Sequence, residues 1–191
     1  MLDKAKVVID ENVQHFKFLV SEEKPLVGIE PSAILGFRDE YLRLAEDKEA
    51  ALEISKCAMT IEEFFQREIR SGEIKPEQFT DETKTLKIHG HCHQKSLSDV
   101  KATFDMLNLP SNYEVTILNT GCCGMAGSFG YEKEHYKISM QVGEDTLFPK
   151  IRAAGTNVEI AASGTSCRHQ ILDGTGTQAL HPVSLMRQAL K

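Results

Sequence analysis

The sequence lacks several features that would assign it to common classes. Basic residues are not in excess: 22 Lys and Arg stand against 28 Asp and Glu, a formal charge of −6. Phosphate binding is driven by clustered Lys and Arg, so nucleic acid is not an expected partner. No apolar run approaches the roughly 20 residues of a membrane-spanning helix, and no transmembrane segment is expected. The opening residues, Met1-Leu2-Asp3-Lys4-Ala5-Lys6, lack the apolar stretch of a secretory signal. A cytoplasmic chain, or the soluble part of something larger, is the expectation. Five cysteines are an odd number in a chain without an export signal, which argues against a disulfide framework. Cys122 and Cys123 are adjacent, and a trans peptide spaces neighbouring Cα atoms by ~3.8 Å, short of the usual disulfide range of ~4.4–6.8 Å. A bridge between them would be strained. The G-x-G-x-x-G fingerprint is missing, so NAD is not expected, and no flavin-binding signature is visible.

What remains is an ordinary globular composition, 41% hydrophobic over 191 residues, enough for a substantial core. Val8, Ile9, Val13, Phe16 and Val20 recur near a helical period, predicting a helix over 5–20. Pro25 to Ile29 reads as a buried strand. Glu30-Pro31-Ser32 then turns into a helix carrying Asp39 and Glu40, with Ser32 as its N-cap. Residues 45–70 read as helix with a break near Thr60, and 72–82 as a loop between two lobes. The second part alternates. Strands are predicted at 85–89, 113–118 and 158–162, and helices at 97–107, 131–154, after Gly164 and from Val183, with Gly155 as a C-cap. This pattern predicts an α/β fold with a parallel sheet of βαβ units. Leu26 to Ala33 also faintly repeats Val158 to Cys167. Two pseudo-symmetric lobes follow: residues 1–80 as a partial, degenerate repeat and 81–191 as a complete one, with Ala33 at the position of Cys167.

Cys92, Cys122, Cys123 and Cys167 each follow a predicted strand, whereas Cys57 lies in a helical stretch. Ligands of open α/β sheets sit beyond the carboxyl ends of the strands, so three consecutive turns could deliver four thiolates to one place. Four thiolates suit Zn²⁺ or an iron–sulfur cluster. Gly121, Gly124, Gly127 and Gly130, with Gly164, would let backbone N–H groups approach an anion or a cluster's sulfides. His89, His91 and His93 alternate around Cys92. On an extended stretch the three would share one face with Cys92 opposite, making His91 and His93 further candidate ligands.

The quoted cysteine turns resemble the cysteine-rich CCG domain family, found in heterodisulfide reductase and in the iron–sulfur subunit of anaerobic glycerol-3-phosphate dehydrogenase. The chain is most similar to the C-terminal region of fused FAD/iron–sulfur oxidoreductases of the D-lactate dehydrogenase-like kind. The strings at 28–32, 37–41, 91–95 and 121–132 carry the likeness, which extends over residues 3–187. Where that family usually ends in Cys-x-x-Cys, Gly164 occupies the first position. Four of five family cysteines remain, a set that suits an ordinary [4Fe–4S] cluster or Zn²⁺. The first copy's own cysteine motifs are absent, so a C-terminal fragment is expected.

The resemblance implies an electron-transfer module of a flavin-dependent 2-hydroxyacid dehydrogenase acting on a D-lactate- or glycolate-like substrate. FAD would lie on an N-terminal domain or subunit, and quinone or another acceptor would take the electrons. The module would be cytoplasmic, with peripheral attachment at the inner face of the membrane also compatible. Alone, such a chain should not oxidise substrate. Two other readings compete: a thiol/disulfide redox protein with Cys122 or Cys123 as nucleophile, and a structural zinc module held by four cysteines.

Overall fold

The computed structural model describes residues 1–191. Helix α1 (Leu2–Phe16) turns Ile9 and Val13 inward and leaves Val8 exposed. Strand β1 (Leu26–Gly28) follows, then the short α2 (Pro31–Ile34). Glu30, not the expected Ser32, is the N-cap of α2, and its carboxylate accepts from Ser32 Oγ at 2.9 Å. A 3₁₀ turn over Leu35–Arg38 separates α2 from α3 (Glu40–Leu44), so Asp39 and Glu40 belong to a second helix start. The expected long helix over 45–70 is two helices, α4 (Lys48–Cys57) and α5 (Ile61–Ser71). The break between them is itself a strand, β2 (Ala58–Thr60), paired in parallel with β1. Thr60 then caps α5 reciprocally with Glu63, a capping box that a Thr-x-x-Glu sequence is built to form.

The second lobe begins with β3 (Lys84–His89), and two helices follow where one was expected: α6 (Cys92–Leu97) and α7 (Val100–Leu107). Asp99 separates them by capping α7, accepting from Lys101 N at 2.8 Å. β4 (Tyr113–Ile117) leads through a long loop into α8 (Tyr136–Arg152), which starts five residues later than expected. β5 (Val158–Ala162), α9 (Thr165–Thr175), the unforeseen two-residue strand β6 (Ala179–Leu180) and α10 (Pro182–Ala189) complete the chain. The four strands form one parallel sheet in the order β4-β3-β5-β6. The architecture is α/β with two parallel sheets, the two-stranded one in the smaller first lobe. No helix is long and apolar enough to cross a membrane.

Leu86 and Ile88 of β3 and Ala161 of β5 face Met106 and Leu107 of α7 and Leu185 and Met186 of α10. Ile160 and Ala162 face the other way, onto Leu147, Phe148 and Ile151 of α8 and Ile171 of α9. Both faces of the sheet are thus covered, as a parallel sheet requires. A third cluster, with Val13, Leu35, Ala51 and Ile54, is confined to the first lobe.

The lobes meet through polar contacts at equivalent ends. His181, the N-cap of α10, bonds the Ile29 carbonyl beyond β1 at 2.9 Å. In the reciprocal position, Glu62 in the first turn of α5 accepts from Ser163 Oγ beyond β5 at 2.5 Å. Arg38 adds a clamp: its guanidinium forks onto Glu63 at 2.8 and 2.9 Å and donates to the carbonyls of Ala58 (2.9 Å) and Leu97 (3.1 Å). Ser98 Oγ donates to the same carboxylate at 2.7 Å. Bidentate, partly buried charge-assisted bonds of this kind contribute more than exposed pairs. Arg38→Ala should therefore lower unfolding free energy by about 2–3 kcal/mol in urea titration. A loss below about 0.5 kcal/mol would show that apolar packing alone holds the lobes.

Candidate metal centre

Three consecutive strand ends build the site. β3 ends at His89, and Gly90 and His91 turn the chain into α6, whose first residue is Cys92. His91 is the N-cap, its Nδ1 accepting from His93 N at 3.2 Å. After β4 the loop carrying Cys122 and Cys123 is held by Lys95 of α6, which donates to the Thr120 carbonyl at 2.6 Å. That loop is wound unusually tightly: φ is positive at Gly124 (+97°), Ala126 (+42°) and Gly127 (+70°). For Ala126, a side-chain-bearing residue, this conformation costs about 1–2 kcal/mol. Gly124 has a second constraint, since a Cβ there would run into the backbone of Ser139 on α8. β5 ends at Ala162, and Gly164 caps α9 so that Cys167 sits in its first turn.

The four thiols line one cavity of about 380 Å³ together with His91 and His93, and Ser32 reaches it from the first lobe. Cys123 and Cys167 form its floor, 3% and 1% exposed, with their sulfurs 3.4 Å apart. Cys122 is half-buried and Cys92 exposed at the mouth. The protons are unevenly shared. Hydrogen bonds from Cys123 and Cys92 hold Cys122 far below the ordinary thiol range, assisted by the Gly124 N–H at 3.3 Å. The close contact with Cys123 likewise lowers Cys167, and the adjacent His89 ring lowers it further. The donors, Cys92 and Cys123, are correspondingly pushed up, chiefly by their bonds to Cys122. The shifts thus run in opposite directions along the chain of contacts, down at Cys122 and Cys167 and up at Cys92 and Cys123. Burial pushes the His91 pKa down and favours its neutral form.

His89 is 1% exposed, with Nδ1 2.8 Å from Thr120 Oγ1 and Nε2 without a partner. A ring nitrogen of His89 and the sulfurs of Cys123 and Cys167 all lie within 4.8 Å of one another. Two soft sulfurs and an orphaned imidazole nitrogen are donors that a thiophilic metal would satisfy. By donor chemistry and spacing, the residues fit a metal centre.

The expected common face for His89, His91 and His93 does not form, because the extended stretch stops at His89. His89 turns toward the thiols, His91 caps α6, and His93, stacked on His91 with ring centroids 5.4 Å apart, enters its first turn together with Cys92. Cys57 ends α4, apart from the cavity lining. Among the glycines, Gly127 lines the cavity, Gly121 bonds Thr146 Oγ1 of α8 through its N–H (2.8 Å), and Gly124 and Gly130 pack on Ser139. Gly164 is different: an added Cβ would overlap the His91 ring and stand 3.3 Å from Cys167 Sγ. The imidazole fills the space that a side chain at 164 would need.

Two residues were not legible as part of the site. Thr120 bonds His89 and carries the carbonyl that Lys95 holds. Glu30 reaches across from the first lobe, its Oε2 accepting from Thr165 N at 2.8 Å, and so caps the cysteine-bearing α9, whose own N-cap is Gly164. Only the shared pattern of Glu30-Pro31-Ser32 and Gly164-Thr165-Ser166 hinted that these turns were related.

Comparison with known proteins finds relatives of the kind the cysteine motifs resemble. The chain is 33% identical over 119 residues to a subunit of the anaerobic glycerol-3-phosphate dehydrogenase of Escherichia coli, covering 58% of this chain and 30% of that protein. It is 29% identical over 189 residues to D-2-hydroxyglutarate dehydrogenase of Pseudomonas putida, covering 96% of this chain and 17% of the relative. The Haemophilus influenzae D-2-hydroxyglutarate dehydrogenase is 27% identical over 176 residues, 16% of its length. The chain thus spans less than a third of each of these curated relatives. No family model and no solved structure matches.

Two measurements probe the electrostatics. In metal-free protein, Cys122 should react with iodoacetamide at a nearly constant rate from about pH 5 to 8, as a preformed thiolate does. A rate rising tenfold per pH unit toward an ordinary thiol pKa of about 8.5 contradicts that assignment. For Glu30, burial alone would raise the pKa, but hydrogen bonds from Thr165 and Ser32 outweigh it and hold the folded value below the ordinary carboxylate range. A depressed folded pKa contributes stability above the unfolded pKa of about 4.3, lost as pH falls through the folded value. The stability gap between wild type and Glu30→Gln should thus be widest near neutrality and shrink below about pH 4.3. A gap constant across that range would exclude an ionised cap.

Proposed function

We propose that this chain is the iron–sulfur electron-transfer module of a flavin-dependent 2-hydroxyacid dehydrogenase, with Cys92, Cys122, Cys123 and Cys167 as ligands. The observation that carries the reading is the convergence of these thiols in one cavity at the carboxyl edge of β3, β4 and β5. The names of the relatives support the oxidoreductase class. FAD belongs, in this reading, to another domain or subunit, and a quinone or comparable acceptor is the electron sink. Of the site glycines, Gly127 lines the cavity and the Gly124 N–H bonds Cys122 Sγ. When bound, a cluster supplies reversible one-electron transfer. The chain's own residues do the rest. Cys123 and Cys167 hold the centre from an apolar floor that excludes water. Cys92, exposed at the mouth, faces the side from which a redox partner can approach. Residues 1–80 act as a ligand-free half copy: Glu30 and Ala33 occupy N-cap and third helical positions in α2 that Gly164 and Cys167 occupy in α9.

One observation favours a second reading. The low-pKa Cys122, hydrogen-bonded to its neighbouring thiols, is also suited to thiol/disulfide exchange. Anaerobic reconstitution with ferrous iron and sulfide separates the two. Wild type should take up iron and labile sulfide in equal amounts and turn brown, and Cys122→Ser and Cys123→Ser should lose most of both. Uptake of no iron, or equal uptake by the variants, overturns the cluster reading. Rapid two-electron oxidation to a disulfide, with no iron bound, would favour the exchange reading.

A further inference from the structure

His89 and His91 differ in how their ring nitrogens are hydrogen-bonded, and that difference assigns them different roles. His91 Nδ1 accepts the backbone N–H of His93. Its Nδ1 lone pair is therefore occupied, and in the neutral ring the proton must sit on Nε2. His91 thus offers the cavity a donor, not a lone pair. His89 is wired the other way. Its Nδ1 meets the Thr120 hydroxyl at 2.8 Å, whose oxygen can accept a hydrogen bond from Nδ1–H, and its Nε2 is buried without any partner. A metal-bound imidazole has this arrangement: one nitrogen donates to a protein oxygen, which fixes the tautomer and aims the other nitrogen's lone pair.

The surroundings of His89 Nε2 point the same way. A polar nitrogen buried without a hydrogen bond costs about 1–3 kcal/mol. The sulfurs of Cys123 and Cys167 and a ring nitrogen of His89 lie within 4.8 Å of one another. Metal–sulfur bonds of ~2.3 Å and metal–nitrogen bonds of ~2.0–2.1 Å space donors on one tetrahedral ion at roughly 3.5–3.8 Å. The 3.4 Å between Cys123 Sγ and Cys167 Sγ is close to that spacing.

We propose that His89 Nε2 is a metal ligand that forms, with Cys123 Sγ and Cys167 Sγ, the buried three-donor face of the centre. One mouth thiol completes a four-donor set, and His91 acts as a hydrogen-bond donor toward the sulfurs. The inference rests on the reading that these thiols hold a metal, and it adds one imidazole to the candidate donors.

X-ray absorption at the zinc edge tests the ligand set on metal-free protein loaded with one equivalent of Zn²⁺. Wild type should show mixed sulfur and nitrogen scattering with the outer-shell signature of imidazole. That signature should vanish in His89→Ala and persist in His91→Ala. An all-sulfur shell in wild type, loss of imidazole in His91→Ala instead, or failure of wild type to bind Zn²⁺ each overturns the proposal. Should His89→Ala not fold, Thr120→Val keeps the imidazole and removes only its orienting hydroxyl. Competition with a chromophoric chelator should then show Zn²⁺ affinity reduced by about 10–100-fold. Unchanged affinity would refute the assignment. The iron–sulfur reading fails separately: if reconstitution yields no iron or sulfide while the zinc–imidazole signature holds, the mixed site stands without a cluster.

Discussion

β3 lies between β4 and β5 and hydrogen-bonds in parallel to both, so the chain leaves it toward one neighbour and returns on its other side. Loops that depart in opposite directions from a central strand leave a crevice at its carboxyl end, the usual ligand position in open parallel sheets. Here the crevice lies between the turn after β3, which delivers Cys92, and the turn after β5, which delivers Cys167. The loop after β4 folds back over it with Cys122 and Cys123. No sequence-local interaction brings these residues together; the strand order does. That order in turn depends on both faces of the sheet being covered, by α7 and α10 on one side and α8 and α9 on the other.

The floor of the cavity is part of a hydrophobic cluster, with Cys123 and Cys167 packed among Leu147, Ile160 and Ile171. Sulfur tolerates such surroundings well, and free cysteine is among the most buried residue types. Isolated thiolates do not, because a low-dielectric interior penalises unpaired charge. Hydrogen bonding among the four thiols shares the protons within the cluster, and a bound metal would neutralise any thiolate charge more completely. The strained loop at Ala126 is consistent with a segment held for what it presents, since such backbone conformations concentrate at functional sites.

The first lobe contributes no cysteine to the cavity, yet it finishes the site. Glu30 caps the helix that carries Cys167, and Ser32 closes part of the cavity wall. Glu62 is fully buried and holds Ser163, next to Gly164, while its second carboxylate oxygen has no protein partner. Arg38 fixes Leu97 and Ser98 at the end of the helix that begins at Cys92. Each helix bearing a mouth or floor cysteine after β3 and β5 is thus anchored from the neighbouring lobe. Helix α5 also packs Phe65 against the second lobe's core, so the lobes share apolar as well as polar surface.

The amino-acid sequence by itself determined the α/β class, the strands β3, β4 and β5 and the turn that follows each. A run such as Val158 to Ala162 bounded by small residues, or Lys84 to His89 ending at a glycine, carries its conformation locally through side-chain type and turn chemistry. The convergence of Cys92, Cys122, Cys123 and Cys167 was legible for the same reason, because a parallel sheet places successive βα turns on one edge. Only the tertiary structure decided the rest. β2 and β6 are too short to have a periodicity of their own and exist because β1 and β5 offer them partners. Residues 92–97 are helical because His91 caps them, which ended the alternation that would have put the three histidines on one face. The inward turn of His89, the tautomer of His91 and the capping of α9 by Glu30 are set by partners 31, 2 and 135 residues away in the chain. Two of those three are contacts between distant segments, and a hydrogen bond across such a separation leaves no periodic trace in the residues that form it.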